Sequence, residues 1–203
     1  MGSADLVLDA VDATLYVLDR HNLASISGED LRVLLRQMLH DAASVWTVTD
    51  EGDGLIEIVD QHAQQTYEDA VAPQDDAATE LRTAWANAFG RNGDPSDAWD
   101  HAIKAVEDTL APIVIPKATK PTLGQIIGAL DSQAQLWKLM LPGSDQSHSV
   151  EPLVAILRLM WPNLDRHGGT ARRTPSTMEA RSVVTLAATI IQWHRQGWVV
   201  ARR

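Results

Sequence analysis

Apolar residues recur at three- and four-residue intervals along most of this chain, the spacing of helices that bury one face. Leu6, Leu8, Val11, Leu15 and Leu18 predict a first helix over 4–19. His21-Asn22 interrupts it. Ser27 then supplies an N-cap with Asp30 in capping-box position, and Leu31, Leu34, Leu35, Met38 and Leu39 form the stripe of a second helix. The residue types turn β-branched and aromatic at 45–49 and similar at 55–59, around Asp50-Glu51-Gly52-Asp53-Gly54. This predicts one small β-hairpin near 45–59, the only β structure expected. A polar helix over 60–72 and a helix over 74–89 follow, the latter with Leu81, Trp85 and Phe89 on one face. Gly90-Arg91-Asn92-Gly93-Asp94-Pro95 is the clearest breaker in the chain. It sets the expected division: an N-terminal helical region over 1–92 and a second domain over 93–203.

Four helical segments make up the second domain. Asp94 suits an N-cap and Pro95 the first helical position, ahead of Ala98, Trp99, Ala102, Val106 and Leu110. Pro112 and Pro116 bracket Ile113-Val114-Ile115 and should end that helix in an extended stretch. Thr122 and Gln125 form a capping box for a helix carrying Ile126, Ile127, Leu130 and Leu136. After a polar loop over 142–149, residues 150–161 are helical until Pro162. A basic loop runs over 163–173, and Thr174-Pro175 opens a last long helix that buries Val183, Val184, Leu186, Ala187, Ile190 and Ile191. Trp85, Trp99, Trp137, Trp161 and Trp193 fall on apolar faces and read as core. Trp198, beyond the last helix, reads as core cover or an interface anchor. Lys104 and Glu107 read as a surface pair. The fold class is all-α, with a four-helix unit near 95–195 and a helical N-terminal region with one hairpin.

Composition narrows the chemistry. The 203 residues include no Cys, which excludes disulfides, thiolate metal sites and thiol nucleophiles. No apolar run approaches the roughly 18 residues of a membrane span, so no membrane partner and a cytoplasmic location are expected. Formal net charge is −10, but it is uneven. Residues 1–150 hold nine basic and 24 acidic side chains; residues 151–203 hold eight Arg and three acidic ones. Such polarity suits either an anionic partner at the basic end or internal packing of the basic segment beside the acidic one. The acidic N-terminal region then suits either of two roles, restraining the basic loop or recruiting a protein partner. The seven His form no i, i+4 pair, and no phosphate-binding Gly loop or nucleophile elbow occurs. Neither metal nor cofactor is expected.

The segment 163–173 concentrates the candidate chemistry: Asn163, Arg166, His167, Gly168, Gly169, Arg172 and Arg173. An imidazole moves protons near neutral pH. Guanidinium groups clamp phosphate through paired hydrogen bonds. Gly168-Gly169 admits close approach of backbone to a ligand, and the following helix offers free N–H groups to an anion. Together these residues suit RNA cleavage without a metal, with the ribose 2′-OH as nucleophile, His167 as acid and base, and Arg on the phosphate. The plainer alternative is an interhelical loop with solvated Arg and a capping His.

The stretch from Asp94 to Gln192 resembles the C-terminal region of abortive-infection-type bacterial proteins, which belong to the broad HEPN group of four-helix domains. Three blocks carry the resemblance. They are Asp94-Pro95-Ser96-Asp97-Ala98-Trp99 running into 102–107; Val114-Ile115-Pro116-Lys117 with 122–128; and Arg166-His167-Gly168-Gly169 followed by Glu179-Ala180-Arg181. The resemblance implies a HEPN-like four-helix bundle, phage defence, metal-independent RNase activity, and a homodimer whose loops face each other. It places His167 as the catalytic imidazole. Its Arg partner is Arg158 or Arg166, and Asn163 is the polar residue that follows the motif's Arg. Catalytic members separate Arg and His by four to six residues; here eight separate Arg158 from His167, and Arg166 is adjacent to it. Two functions therefore stand: an RNase acting through the loop, and a non-catalytic HEPN-like module that binds or dimerises. Arg158 and Arg166 decide between them, because cleavage needs a guanidinium on the phosphate held by His167.

Overall fold

The computed structural model describes residues 2–21, 28–163 and 173–203. Among them are eight α-helices and two small antiparallel strand pairs. They form two compact units, Met1–Asp60 with Phe89–Gly93, and Gln61–Ala88 with Asp94–Arg203. The chain thus passes between units at three points, and residues 61–88 group with the C-terminal helices.

In the first unit, α1 (Ser3–Arg20) and α2 (Gly28–Asp41) precede β1 (Trp46–Val48) and β2 (Leu55–Glu57), which pair with Trp46 opposite Glu57. The Ser27 cap expected for α2 lies outside the described residues. The hairpin turn needs Gly52, whose φ of +76° an L side chain rarely adopts. The Thr49 hydroxyl gathers the turn by accepting from the N–H groups of Gly52 and Asp53, both at 3.1 Å. Leu15, Leu39, Val48 and Leu55 form a small core. The Asp12 carboxylate fastens α1 to the hairpin by accepting from Leu55 N–H at 2.6 Å.

The second unit begins with α3 (Gln61–Val71) and α4 (Asp76–Phe89). Next come α5 (Pro95–Val114), α6 (Leu123–Ser132), α7 (Glu151–Met160) and α8 (Thr177–Arg195). Helix α5 packs along α8 and against α6; α8 also packs on α3, and α6 on α7. Both expected caps of α5 and α6 form. Asp94 accepts from Ser96 and Asp97 N–H, and Thr122 and Gln125 close a reciprocal box. The core runs through Val106, Leu110, Leu123, Ile126, Leu130, Leu157 and Ile191, all fully buried.

Five local expectations change. Helix α5 continues through Pro112 to Val114. Proline removes one bond, to the carbonyl of the exposed Asp108, while Ile115 N–H still reaches Ala111 O and burial holds Ala111 and Val114 in place. Helix α6 stops at Ser132, so Leu136 sits in a 3₁₀ turn and is exposed. A second strand pair exists: β3 (Trp137–Leu139) lies antiparallel to β4 (Val200–Arg202). Helix α8 starts two residues after Thr174-Pro175, capped by Ser176, whose reciprocal partner is Glu179. Glu107 is not a surface partner of Lys104. It is half-buried and accepts from Leu123 N–H at 2.6 Å, tying α5 to the first turn of α6, while Lys104 approaches Glu80. Of the tryptophans read as core, Trp85, Trp99 and Trp137 are buried and Trp161 and Trp193 partly so. The Lys138 ammonium lies over the Trp198 ring.

Two glycines of α6 separate packing from backbone entropy. A Cβ on Gly124 would stand 2.9 Å from Trp161 Nε1, whereas one on the exposed Gly128 meets nothing within 4 Å. Gly128→Ala is expected to stabilise by about 0.5–1 kcal/mol, and Gly124→Ala to destabilise. Thermal melts of the two variants check the opposite signs.

Candidate functional site

Of the residues singled out in the basic loop, Arg166, His167, Gly168, Gly169 and Arg172 lie outside the described residues, within 164–172. The structure places the flanks: Arg158 and Asn163 before the segment, Arg173 after it. It does not bring these three into one cluster around a shared ligand position; each has its own partner.

Asn163 is fully buried. Its amide nitrogen donates to Asp100 Oδ1 at 2.5 Å and reaches Ser96 O at 3.4 Å, both near the start of α5. Three residues before Asn163, Met160 O accepts from Trp99 Nε1 at 2.7 Å, a buried bond that pairs a carbonyl left free at the end of α7. The exit of α7 is therefore fixed on α5 by two polar side chains. Arg158 projects elsewhere: its guanidinium meets Asp131 of α6 at 2.7 Å, with both side chains half-exposed. Arg173 forms a two-pronged ion pair with Glu179 at 2.7 and 2.5 Å. The same carboxylate accepts from Ser176 N–H at 2.9 Å, completing the cap of α8. The Arg173 guanidinium and the Ser176 donors hold the Glu179 carboxyl down to about 2.

The remaining described arginines of the basic end are also engaged within the chain. Arg181 donates to Ala88 O, Arg195 pairs with Asp75, Arg202 stacks on Trp137, and Arg203 donates to Trp137 O. Internal packing of the basic segment, the plainer of the two readings of the charge polarity, accounts for these side chains.

A second feature has no counterpart in the sequence reading. The second unit contains a cavity of about 580 Å³ lined by Asp75, Asp76, Asp108, His194 and Arg195 over an apolar floor that includes Pro112 and Pro116. Arg195 is held by both oxygens of Asp75, at 2.7 and 2.8 Å, leaving the lining acidic on balance. Burial, with Arg195 adjacent, pushes the His194 imidazole below its ordinary pKa. Its Nδ1 is buried with no hydrogen-bond partner among the described residues. Asp108 is raised, first by desolvation and then by the carboxylates of Glu80, Asp76 and Asp75. The lining favours a cation over an anion. Its residues come from three helices and adjoining turns far apart in the chain, so no local motif signals it.

No family model, curated protein or solved structure matches the chain. No described helix is long and apolar enough to cross a membrane.

Two pH-linked outcomes follow from these carboxylates. Glu179 is depressed in the folded state, so its stabilising contribution is present above the ordinary carboxylate range and is lost as pH falls towards about 2. Arg173→Ala should raise the Glu179 pKa, read by NMR titration, and flatten the acid limb of Tm against pH. Asp108 is raised, so its ionised form opposes folding at neutral pH and that penalty disappears on acidification. Because Asp108 is largely exposed, Asp108→Asn should raise Tm at pH 7 by only about 1–2 °C. The gain should vanish below the ordinary carboxylate range.

Proposed function

We propose that this chain is an abortive-infection-like protein whose second unit is a HEPN-like helical module that binds RNA without cutting it. The carrying observation is the placement of Arg158, the guanidinium available ahead of the loop, in an ion pair with Asp131 on α6. A phosphate clamp must be free to stabilise developing charge, and Arg158 has a partner of its own. Two further points support the reading. Asn163, which the resemblance sets directly after the motif's Arg, is preceded by Pro162, and its amide is occupied by Asp100. Arg173 at the far end of the loop is neutralised by Glu179. Recognition then rests on Arg166, His167 and Arg172 with the backbone of Gly168-Gly169, a set suited to holding phosphate, while Arg166, adjacent to His167, lacks the four-to-six-residue separation of catalytic members.

Wild-type protein and the His167→Ala and Arg166→Ala/Arg172→Ala variants, assayed with single-stranded RNA in EDTA, test this. Binding followed by fluorescence anisotropy should weaken with salt, and the double variant should lower the slope of log K against log salt by about 1.4. RNA should stay intact. Products ending in 2′,3′-cyclic phosphate that disappear in His167→Ala would overturn the binding reading in favour of a metal-independent RNase. No binding at low salt would overturn RNA as the ligand.

A further inference from the structure

The two helices of the first unit leave an apolar face open. Between α1 and α2 runs a groove of about 390 Å³; among the described residues its lining contains no charged side chain and Thr14 as the one polar residue. Val7 on α1 and Leu31, Leu34 and Met38 on α2 line it and are 48–62% exposed. On α1 the stripe widens past the groove edge through Leu6 and Val17, which are 59% and 47% exposed. Leu15 of this unit's small core, with Val11 and Leu35 packed against it, forms the floor of the groove, and Val7, Leu31, Leu34 and Met38 make an open apolar rim above it.

We propose that this face is a homodimer interface, in which the α1–α2 pairs of two copies stack about a two-fold axis into a four-helix arrangement. Three observations favour a second copy as the occupant. The first is shape. On the open face the middle of α1 presents the small residues Ala10 and Thr14, flanked by Val7 and Leu18, while α2 presents the large residues Leu31, Leu34 and Met38. A two-fold axis sets the large side chains of one copy over the small ones of its partner, and the reverse, which is the self-complementarity that an isologous contact needs. The second is chemistry: an uncharged groove offers a basic or acidic peptide no ion pair, so its occupant must bring an apolar helical face of similar width. The third is area. Six half-exposed large side chains and the small residues between them leave on the order of 400 Å² of apolar surface per copy. Two copies contribute about 800 Å², and with the polar rim of a homodimer the buried total reaches about 1,200 Å², the lower end of the range for stable complexes.

This interface is separate from the 163–173 loop and does not depend on RNA binding. Sedimentation of the full chain at tens of micromolar tests it. Wild type should run as two chain masses, and Leu34→Glu/Met38→Glu as one, with unchanged helical circular dichroism. Ala10→Arg, at an exposed helical position, fills the recess without touching the core and should weaken dimerisation at least a hundredfold, so the idea stays testable if the double variant unfolds. A monomeric wild type would overturn the proposal. A dimer that survives both variants would overturn it equally, by placing the contact elsewhere.

Discussion

Helix α5 is the element on which the second unit depends. Asp94 and Pro95 start it at a defined residue, and twenty residues of α-helix then offer a continuous buried stripe from Ala98 to Val114. Helices α6 and α8 pack on that stripe. Two polar contacts from α5 fix the ends of α6 and α7. Glu107 receives the first N–H of α6, and Trp99 donates to the last carbonyl of α7. Both are partly or wholly buried, where an unmade hydrogen bond costs about 1–3 kcal/mol. The packing therefore places each helix end where a specific partner exists, and Asn163 on Asp100 extends the same logic to the start of the basic loop.

The charge distribution acquires a structural meaning in this light. Arginines crowd the last fifty residues, yet those described hold helix ends, carbonyls and single carboxylates. Arg195 on Asp75, Arg173 on Glu179 and Arg158 on Asp131 each neutralise one acid at an element boundary. Surface pairs of this kind contribute little stability individually, but they remove cations from the pool available to an anionic ligand.

The two units use apolar surface differently. The second unit buries most of its described large apolar residues, with a mixed polar cavity between α5 and the end of α8. The first has a core of four buried side chains and leaves Val7, Leu34 and Met38 in water. A unit so small gains from any partner that covers this face, because burial of apolar area is its main available source of stability.

What the sequence determined by itself was local. Helical periodicity placed the helices, and the Asp94-Pro95 start and the Thr122/Gln125 box were legible because a cap is made by residues within one turn of each other. The Ser176/Glu179 box follows the same rule and was equally legible; Thr174 lacks the acidic or amide residue three positions on. Only the tertiary structure decided the rest. Strands β3 and β4 are three residues each and exist because Trp137 finds Arg202 across the chain. Helix α5 outlasts Pro112 because its neighbours bury Ala111 and Val114. Arg158 faces Asp131, Glu107 faces α6, and Asp75, Asp108 and His194 share one cavity for the same reason. A side chain's partner is set by which helices pack together, and packing is a property of the whole unit that no spacing of nearby residues encodes.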